Sequence, residues 1–154
     1  MVSCTRSLMV AAVLLTTLSS CGRGPNLRPI PITEEDQIYY SDQSQWRDEA
    51  GVAIKRAEDW AEYWQRITGS SANLPRVDFE EEMLLLYNAG RRYPGDRIQI
   101  LELLPGGEGE LVAFYRLDES GTTLSQVFPV QVVRVRRQPG QVRFERRRFD
   151  SNFE

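Results

Sequence analysis

The chain has 154 residues, 22 acidic and 19 basic side chains, a formal net charge of −3 and no histidine. This length suits a single domain, and the mild acidity argues against a general nucleic-acid-binding protein. The absence of histidine excludes Ser–His and Cys–His catalytic systems and removes a common zinc ligand.

The first twenty residues have the pattern of an export signal. Arg6 precedes an apolar run at 8–18, LMVAAVLLTTL. This run is shorter than the roughly 20 residues that a membrane-spanning helix needs. Small residues then lie directly before Cys21, in the order LSSC. The order resembles the bacterial lipoprotein signal and predicts cleavage after residue 20 and a diacylglyceryl thioether on Cys21. A plain signal peptide with an unmodified Cys21 is the alternative.

Lipidation has consequences for stability and location. Cys4 would leave with the signal, so we expect no free thiol and no disulfide in the mature chain. Two or more acyl chains hold a protein firmly on a membrane. Because Cys21 is followed by glycine rather than aspartate, we expect the outer membrane if the host has two. Residues 21–33 are proline-rich and predict an extended tether of about 40 Å.

We predict one domain at 34–149 and a short tail at 150–154. Its first strands are predicted at 37–41, QIYYS, and at 52–55, VAIK. The clearest periodicity follows at 57–68, where small and apolar side chains share one helical face. These side chains are Ala57, Trp60, Ala61, Trp64 and Ile67. We interpret the two tryptophans as core residues, and an aromatic binding platform is the alternative.

Strands dominate the second half of the sequence. Asp78 can cap a short helical turn at 80–82. Alternating or apolar runs bounded by Pro and Gly then predict five strands, at 83–89, 97–104, 110–119, 126–137 and 142–147. The QPGQ sequence at 138–141 predicts a tight turn that joins the last two as a hairpin. The predicted fold is α+β, with one main helix packed on a largely antiparallel sheet of about five to seven strands.

The order of these segments resembles the PrcB C-terminal-like domain family, named after a lipoprotein subunit of a bacterial surface protease complex. The resemblance covers about 38–146 and rests on AIKRAEDWAEYW, LPRVDFEEEMLLLYNAG, the pair RIQILEL and LVAFYRL, and VFPVQVVRV. Its most specific part is 77–83. The family pattern has a second glycine and an aromatic residue after the Gly95 turn, where this chain has Asp96 and Arg97. The resemblance implies an accessory or scaffolding lipoprotein and supplies no catalytic residues.

The predicted C-terminal hairpin is strongly basic, with seven arginines between Arg134 and Arg148 against the single acid Glu145. Alternation along its strands directs several arginines from one face, where they could contact anionic head groups or an acidic partner. The predicted partner-binding residues are Arg134, Arg136 and Arg143, with Tyr39 or Tyr40 beside them. The alternative is a charged strand edge that keeps the protein soluble.

Other candidate chemistry has simpler interpretations. The carboxylates at 78–82 could hold calcium or act in acid–base catalysis, but capping and solvation account for them. Lys55, the only lysine, lacks the S-x-x-K spacing of Ser–Lys enzymes. We therefore predict no catalytic residues, metal or cofactor. The predicted function is a lipid-anchored envelope accessory protein that binds or stabilises another envelope protein, such as a protease. A carboxylate-dependent envelope hydrolase or a small-ligand-binding protein is the alternative.

Overall fold

The computed structural model describes residues 28–107, 109–120 and 125–148. Cys21, the predicted signal peptide and the predicted tail at 150–154 lie outside these residues. The described elements, in chain order, are β1 (Ile30–Pro31), a 3-10 turn (Glu34–Asp36), β2 (Gln37–Ser41), β3 (Glu49–Ile54), α1 (Ala57–Thr68), β4 (Glu82–Ala89), β5 (Arg97–Pro105), β6 (Leu111–Asp118), β7 (Val130–Arg136) and β8 (Val142–Arg146).

In the described part of the chain, the strands form two four-stranded sheets. Sheet A has the order β1-β5-β6-β8, and sheet B has the order β2-β7-β4-β3. Neighbouring strands are antiparallel, except that β6 and β8 are parallel. The mixed composition of mostly strands with one helix is confirmed, whereas the prediction of one sheet of five to seven strands is wrong.

Two buried clusters hold the domain together, and β4 contributes to both. Met83, Leu85 and Tyr87 belong to a cluster that also contains residues of sheet A. Leu84 and Leu86 belong to a second cluster, which contains residues of α1. Successive side chains of a strand point to opposite faces. The run MLLLYNA is therefore apolar throughout because sheet B is buried on both faces at this strand.

Helix α1 has the predicted bounds. It ends at Gly69, whose φ of 74° is the left-handed cap conformation and whose N–H donates to the Gln65 carbonyl oxygen over 2.8 Å. The buried face differs from the predicted one, because Ala57 and Ala61 are exposed. Tyr63 replaces them on that face, and its ring stacks on Trp46 with centroids 5.7 Å apart.

The predicted C-terminal hairpin is wrong. Strand β7 pairs with β2 and β4 in sheet B, whereas β8 pairs with β6 in sheet A. The connection at 137–141 therefore crosses between the sheets. The Lys55 Nζ atom holds this connection by donating to the carbonyl oxygens of Gln138 over 2.9 Å and Gly140 over 2.5 Å. These contacts lie more than 80 positions apart in sequence, so local turn propensity could not reveal them.

The described part of the predicted tether belongs to the domain. Ile30–Pro31 pairs with β5, and Ile32 is buried. The Thr33 N–H donates to Asp36 Oδ2 over 2.7 Å and so closes the 3-10 turn. The predicted domain start at residue 34 is therefore about four residues late. None of the helices among the described residues is long and apolar enough to cross a membrane.

Candidate functional site

The two sheets share the first buried cluster and form a sandwich. The two sides of this sandwich, where the edge strands lie, are closed differently. On one side, β3 of sheet B approaches β8 of sheet A. Gly51 on β3 makes this approach possible, because a Cβ atom at that position would overlap the Phe144 ring on β8. The absence of a side chain at Gly51 thus lets an aromatic ring seal this side of the sandwich.

The opposite side contains the candidate site. Strand β1 has only two residues, which pair with Glu102 and Leu103. The part of β5 at 97–100 has no strand neighbour on this side among the described residues. Strand β2 is one of the two edge strands of sheet B. Residues of β2 and β5 line a cleft of about 820 Å³, which we call the edge cleft.

Side chains from sheet B lie against the backbone at the edge of β5. Gln131 is only 6 % exposed. Its Oε1 accepts from the Ile100 N–H over 2.6 Å, and its Nε2 donates to Gln37 Oε1 over 2.7 Å. Tyr40 lies beside Ile98 in the lining of the same cleft. A free strand edge is a hazard for aggregation, and these two side chains reduce it without covering the cleft.

Tyr40 is the exposed aromatic residue of the edge cleft. Its side chain is 37 % exposed. Burial of the remainder raises the pKa of the Tyr40 phenol, although the nearby Arg97 guanidinium opposes this shift. The phenol is therefore neutral and keeps its proton for hydrogen bonding. Tyr39 points the other way along β2, and its ring packs edge-on against Trp64 with centroids 4.9 Å apart.

A buried aspartate fixes one end of the cleft. Asp96 is 4 % exposed. Its Oδ2 accepts from the Tyr93 N–H over 3.0 Å, and its Oδ1 accepts from the Ser120 N–H over 2.8 Å. The turn before β5 is thereby tied to the end of β6. This position departs from the family pattern described above, and here it has a structural role.

The predicted arginine surface is not formed as one face. Arg134 and Arg136 lie on β7 in sheet B, whereas Arg143 lies on β8 in sheet A. Arg134 pairs with Glu82 at 3.4 Å, and Arg143 pairs with Glu110 at 2.9 Å. Arg136 is exposed and forms no ion pair within the described ranges. Of the predicted partner-binding residues, Tyr40 and Arg136 remain accessible and uncommitted to an ion pair.

The carboxylates at 78–82 have local structural roles. Asp78 Oδ1 accepts from the Glu80 N–H over 3.1 Å, and the Asp78 carbonyl oxygen accepts from the Glu82 N–H over 2.8 Å. The segment therefore forms one helical turn that Asp78 caps, as predicted, and β4 begins at Glu82. Within the described residues, no group of three His, Cys, Asp or Glu side chains is placed to hold a metal ion.

Lys55 also has a structural role, since its ammonium group binds the two carbonyl oxygens of the 137–141 connection. Burial lowers its pKa, and the charge of Arg137 lowers it further. Arg137 itself donates to the Lys55 and Phe79 carbonyl oxygens. The only lysine therefore joins β3 to the crossing between the sheets.

A buried hydrogen-bond chain was not predicted from the sequence. The ring centroids of Tyr87 and Tyr115 lie 3.9 Å apart, and their hydroxyl oxygens are separated by 2.5 Å. The Tyr87 hydroxyl donates to Glu49, which also pairs with Arg92 at 2.9 Å. Because Tyr87 has one proton to donate, Tyr115 supplies the proton between the two hydroxyls. The four residues come from separate segments, so no sequence spacing identifies them.

The pKa values of Tyr87 and Glu49 in this hydrogen-bond chain are shifted by their contacts. Burial raises the pKa of Tyr87, and its bonds to Glu49 and Tyr115 raise it further. Burial alone would raise the pKa of Glu49, but hydrogen bonds from Tyr87 and Arg92 outweigh it and hold that pKa below its ordinary value. Both groups therefore keep their usual charge at neutral pH, which fits a structural role.

No family model matches the sequence, and neither curated proteins nor solved structures include a match. The similarity of 38–146 to the PrcB C-terminal-like family thus stays a hypothesis drawn from the sequence. The geometry of the edge cleft is independent of that hypothesis, since it depends only on the strand pairing and side-chain contacts described above.

Proposed function

We propose that this chain is a lipid-anchored accessory protein of the bacterial envelope that binds a partner protein through the edge cleft. The observation that carries the proposal is the meeting of two strand edges in one open cleft, on a sandwich whose opposite side is sealed. Strand edges bind extended polypeptides, and tyrosine and arginine are enriched among residues that dominate protein interfaces. Tyr40 and Arg97 provide these side chains here.

The position of β1 supports a short attachment to the membrane. If Cys21 carries lipid, residues 22–29 connect it to β1 and span at most about 28 Å. Ile30 pairs with Leu103, toward the far end of β5 from Arg97. The cleft lies on the Arg97 part of β5, so it would remain accessible above the membrane. In a host with two membranes, we propose the outer one.

The second buried cluster supports the same arrangement. Trp60 and Trp64 of α1 share it with Leu84, Leu86 and Val132 of sheet B. We infer that the helix packs on the face of sheet B that lies away from sheet A. This arrangement leaves the edge cleft uncovered. The resemblance to the PrcB C-terminal-like family favours a protease complex as the partner.

The function is tested by affinity purification of the full-length tagged chain from gently solubilised membranes. We expect one envelope protein to be enriched with the intact chain. The matched control is Cys21→Ala, which retains the whole folded domain but lacks the lipid attachment site. If neither chain enriches an envelope protein above an untagged strain, the proposed accessory function is wrong.

A polar ligand or substrate is the second candidate function. Glu34, Asp42 and Asp118 line the same cleft, and two carboxylates suffice for glycoside hydrolysis. Turnover of peptidoglycan, glycan or ester substrates by the purified protein would favour this candidate. Loss of that turnover in both Asp42→Asn and Asp118→Asn would assign it to the cleft and would replace the accessory function.

A further inference from the structure

The unpaired part of β5 continues an edge that already accepts a strand. Strand β1 pairs with Leu103 and Glu102, and the Ile32 N–H donates to the Leu101 carbonyl oxygen over 2.8 Å. The chain then leaves this edge, turns through the 3-10 segment and enters sheet B. Four residues of β5, at 97–100, remain beyond the point where β1 ends.

Backbone groups on this edge are available to a ligand. In an antiparallel pair, a residue directs its N–H and its C=O to the same side of the strand. The Ile100 N–H donates to Gln131, which lines the cleft, and Ile98 lies two residues earlier in the same regular register. The carbonyl oxygens of Ile98 and Ile100 therefore also face the cleft, where they can accept hydrogen bonds.

Tyr40 supplies a side-chain hydrogen-bond donor at this edge. Its side chain lines the cleft together with Ile98, and its phenol keeps its proton because burial raises its pKa. A phenol hydroxyl can donate its proton to a carbonyl oxygen of a bound segment. The edge thus offers two carbonyl acceptors and one phenol donor, a set that complements the alternating N–H and C=O groups of an extended peptide.

We propose that the edge cleft binds an extended segment of the partner protein, which pairs with β5 at Arg97–Ile100 as a continuation of the β1 position. This inference depends on the proposed accessory function and names the part of the partner that is recognised. Four strand residues span about 13 Å, which sets the length of the paired segment. Polar side chains such as Gln99, Arg97 and Asp42 line the cleft, so the segment itself is polar.

The experiment places a photo-crosslinking benzoylphenylalanine at position 40 or at position 97 of the full-length, membrane-anchored chain. A third variant carries it at position 74, where Leu74 is equally exposed but lies outside the cleft lining. The crosslinked residues are identified by mass spectrometry. We expect positions 40 and 97 to crosslink to one contiguous segment of one protein, with a yield at least about ten times that of position 74.

The outcomes separate the inference from the function on which it depends. Enrichment of a partner with crosslinks that fall on unconnected segments, or equally at position 74, overturns strand pairing but leaves the accessory function. Absence of any enriched partner overturns both.

A matched pair of substitutions provides a second measurement. Tyr40→Phe removes only the hydroxyl and should weaken partner binding by about tenfold, whereas Tyr93→Phe should not. Equal binding by both variants overturns the role of the phenol.

Discussion

At the scale of single residues, the polar side chains buried in this domain each fix a particular backbone group. Gln131 links β7 to the free edge of β5, and Asp96 links the turn before β5 to the end of β6. The sequence could not reveal these roles, because a buried glutamine or aspartate reads as a surface residue. The tryptophans were easier to interpret, because helical periodicity alone placed Trp60 and Trp64 on one face.

Trp64 tests the interpretation of the tryptophans as core. Its ring contacts Tyr39 and Trp60, and its Nε1 donates to the Ala72 carbonyl oxygen over 2.8 Å. Trp64→Ala should lower the free energy of unfolding by about 3–5 kcal/mol. Trp64→Phe keeps an aromatic ring and should cost less. Urea denaturation followed by circular dichroism measures both, and a near-normal stability for Trp64→Ala would show that the ring serves a binding surface.

Glu49 predicts a pH dependence. Its pKa is lower in the folded protein than its ordinary value of 4.5. This interaction therefore contributes stability that is fully present above that value and is lost as the pH falls through the folded-state pKa. Because Glu49 is partly exposed, the contribution is small.

The urea midpoint should fall less between pH 7 and pH 3 in Glu49→Gln than in the intact protein. Glu62→Gln, on the exposed helix surface, should behave like the intact protein, and an unchanged slope in Glu49→Gln would contradict the assignment.

At the scale of elements, local signals were sufficient for the helix but not for the sheets. The bounds of α1 follow from periodicity and from Gly69, which all lie within one short segment. The five predicted strands of the second half correspond to β4–β8. Their pairing is non-local, however, and the Pro-Gly sequence before β8 suggested a hairpin that the structure does not form. The edge cleft was also not predictable, because it exists only through this pairing.

The contact between β3 and β8 is the element-scale feature that sequence reasoning missed, and Gly51 tests it. Gly51→Ala places a methyl group against the Phe144 ring, and such overpacking costs about 1–3 kcal/mol. Gly107→Ala is the matched control, because nothing lies within 4 Å of an added Cβ atom at that position. Thermal denaturation should show a clear loss of stability for Gly51→Ala alone. Equal melting temperatures for the two variants would mean that the sandwich is not sealed by this contact.

At the scale of the whole molecule, we propose a lipid anchor at Cys21 and a domain that binds its partner through the edge cleft. Cys21→Ala should leave the protein unlipidated and remove it from the membrane fraction, because the acyl chains on Cys21 are the proposed attachment. Fractionation of cells that express the intact and substituted chains measures this directly. Membrane association of Cys21→Ala equal to that of the intact chain would contradict the anchor. In a host with two membranes, a sucrose gradient that places the intact chain with the inner membrane would contradict the proposed location.

Binding through the edge cleft is tested by the amount of partner protein recovered with the full-length chain, measured by quantitative mass spectrometry. Three chains are compared: the intact protein, the double variant Tyr40→Ala with Arg97→Glu, and the control Tyr93→Ala. Tyr93 is the more exposed tyrosine, at 51 %, and does not line the cleft. Exposed residues contribute little to stability, so all three chains should fold. We expect the double variant to lose the partner and the control to retain it. Equal recovery with all three chains would contradict binding through the edge cleft.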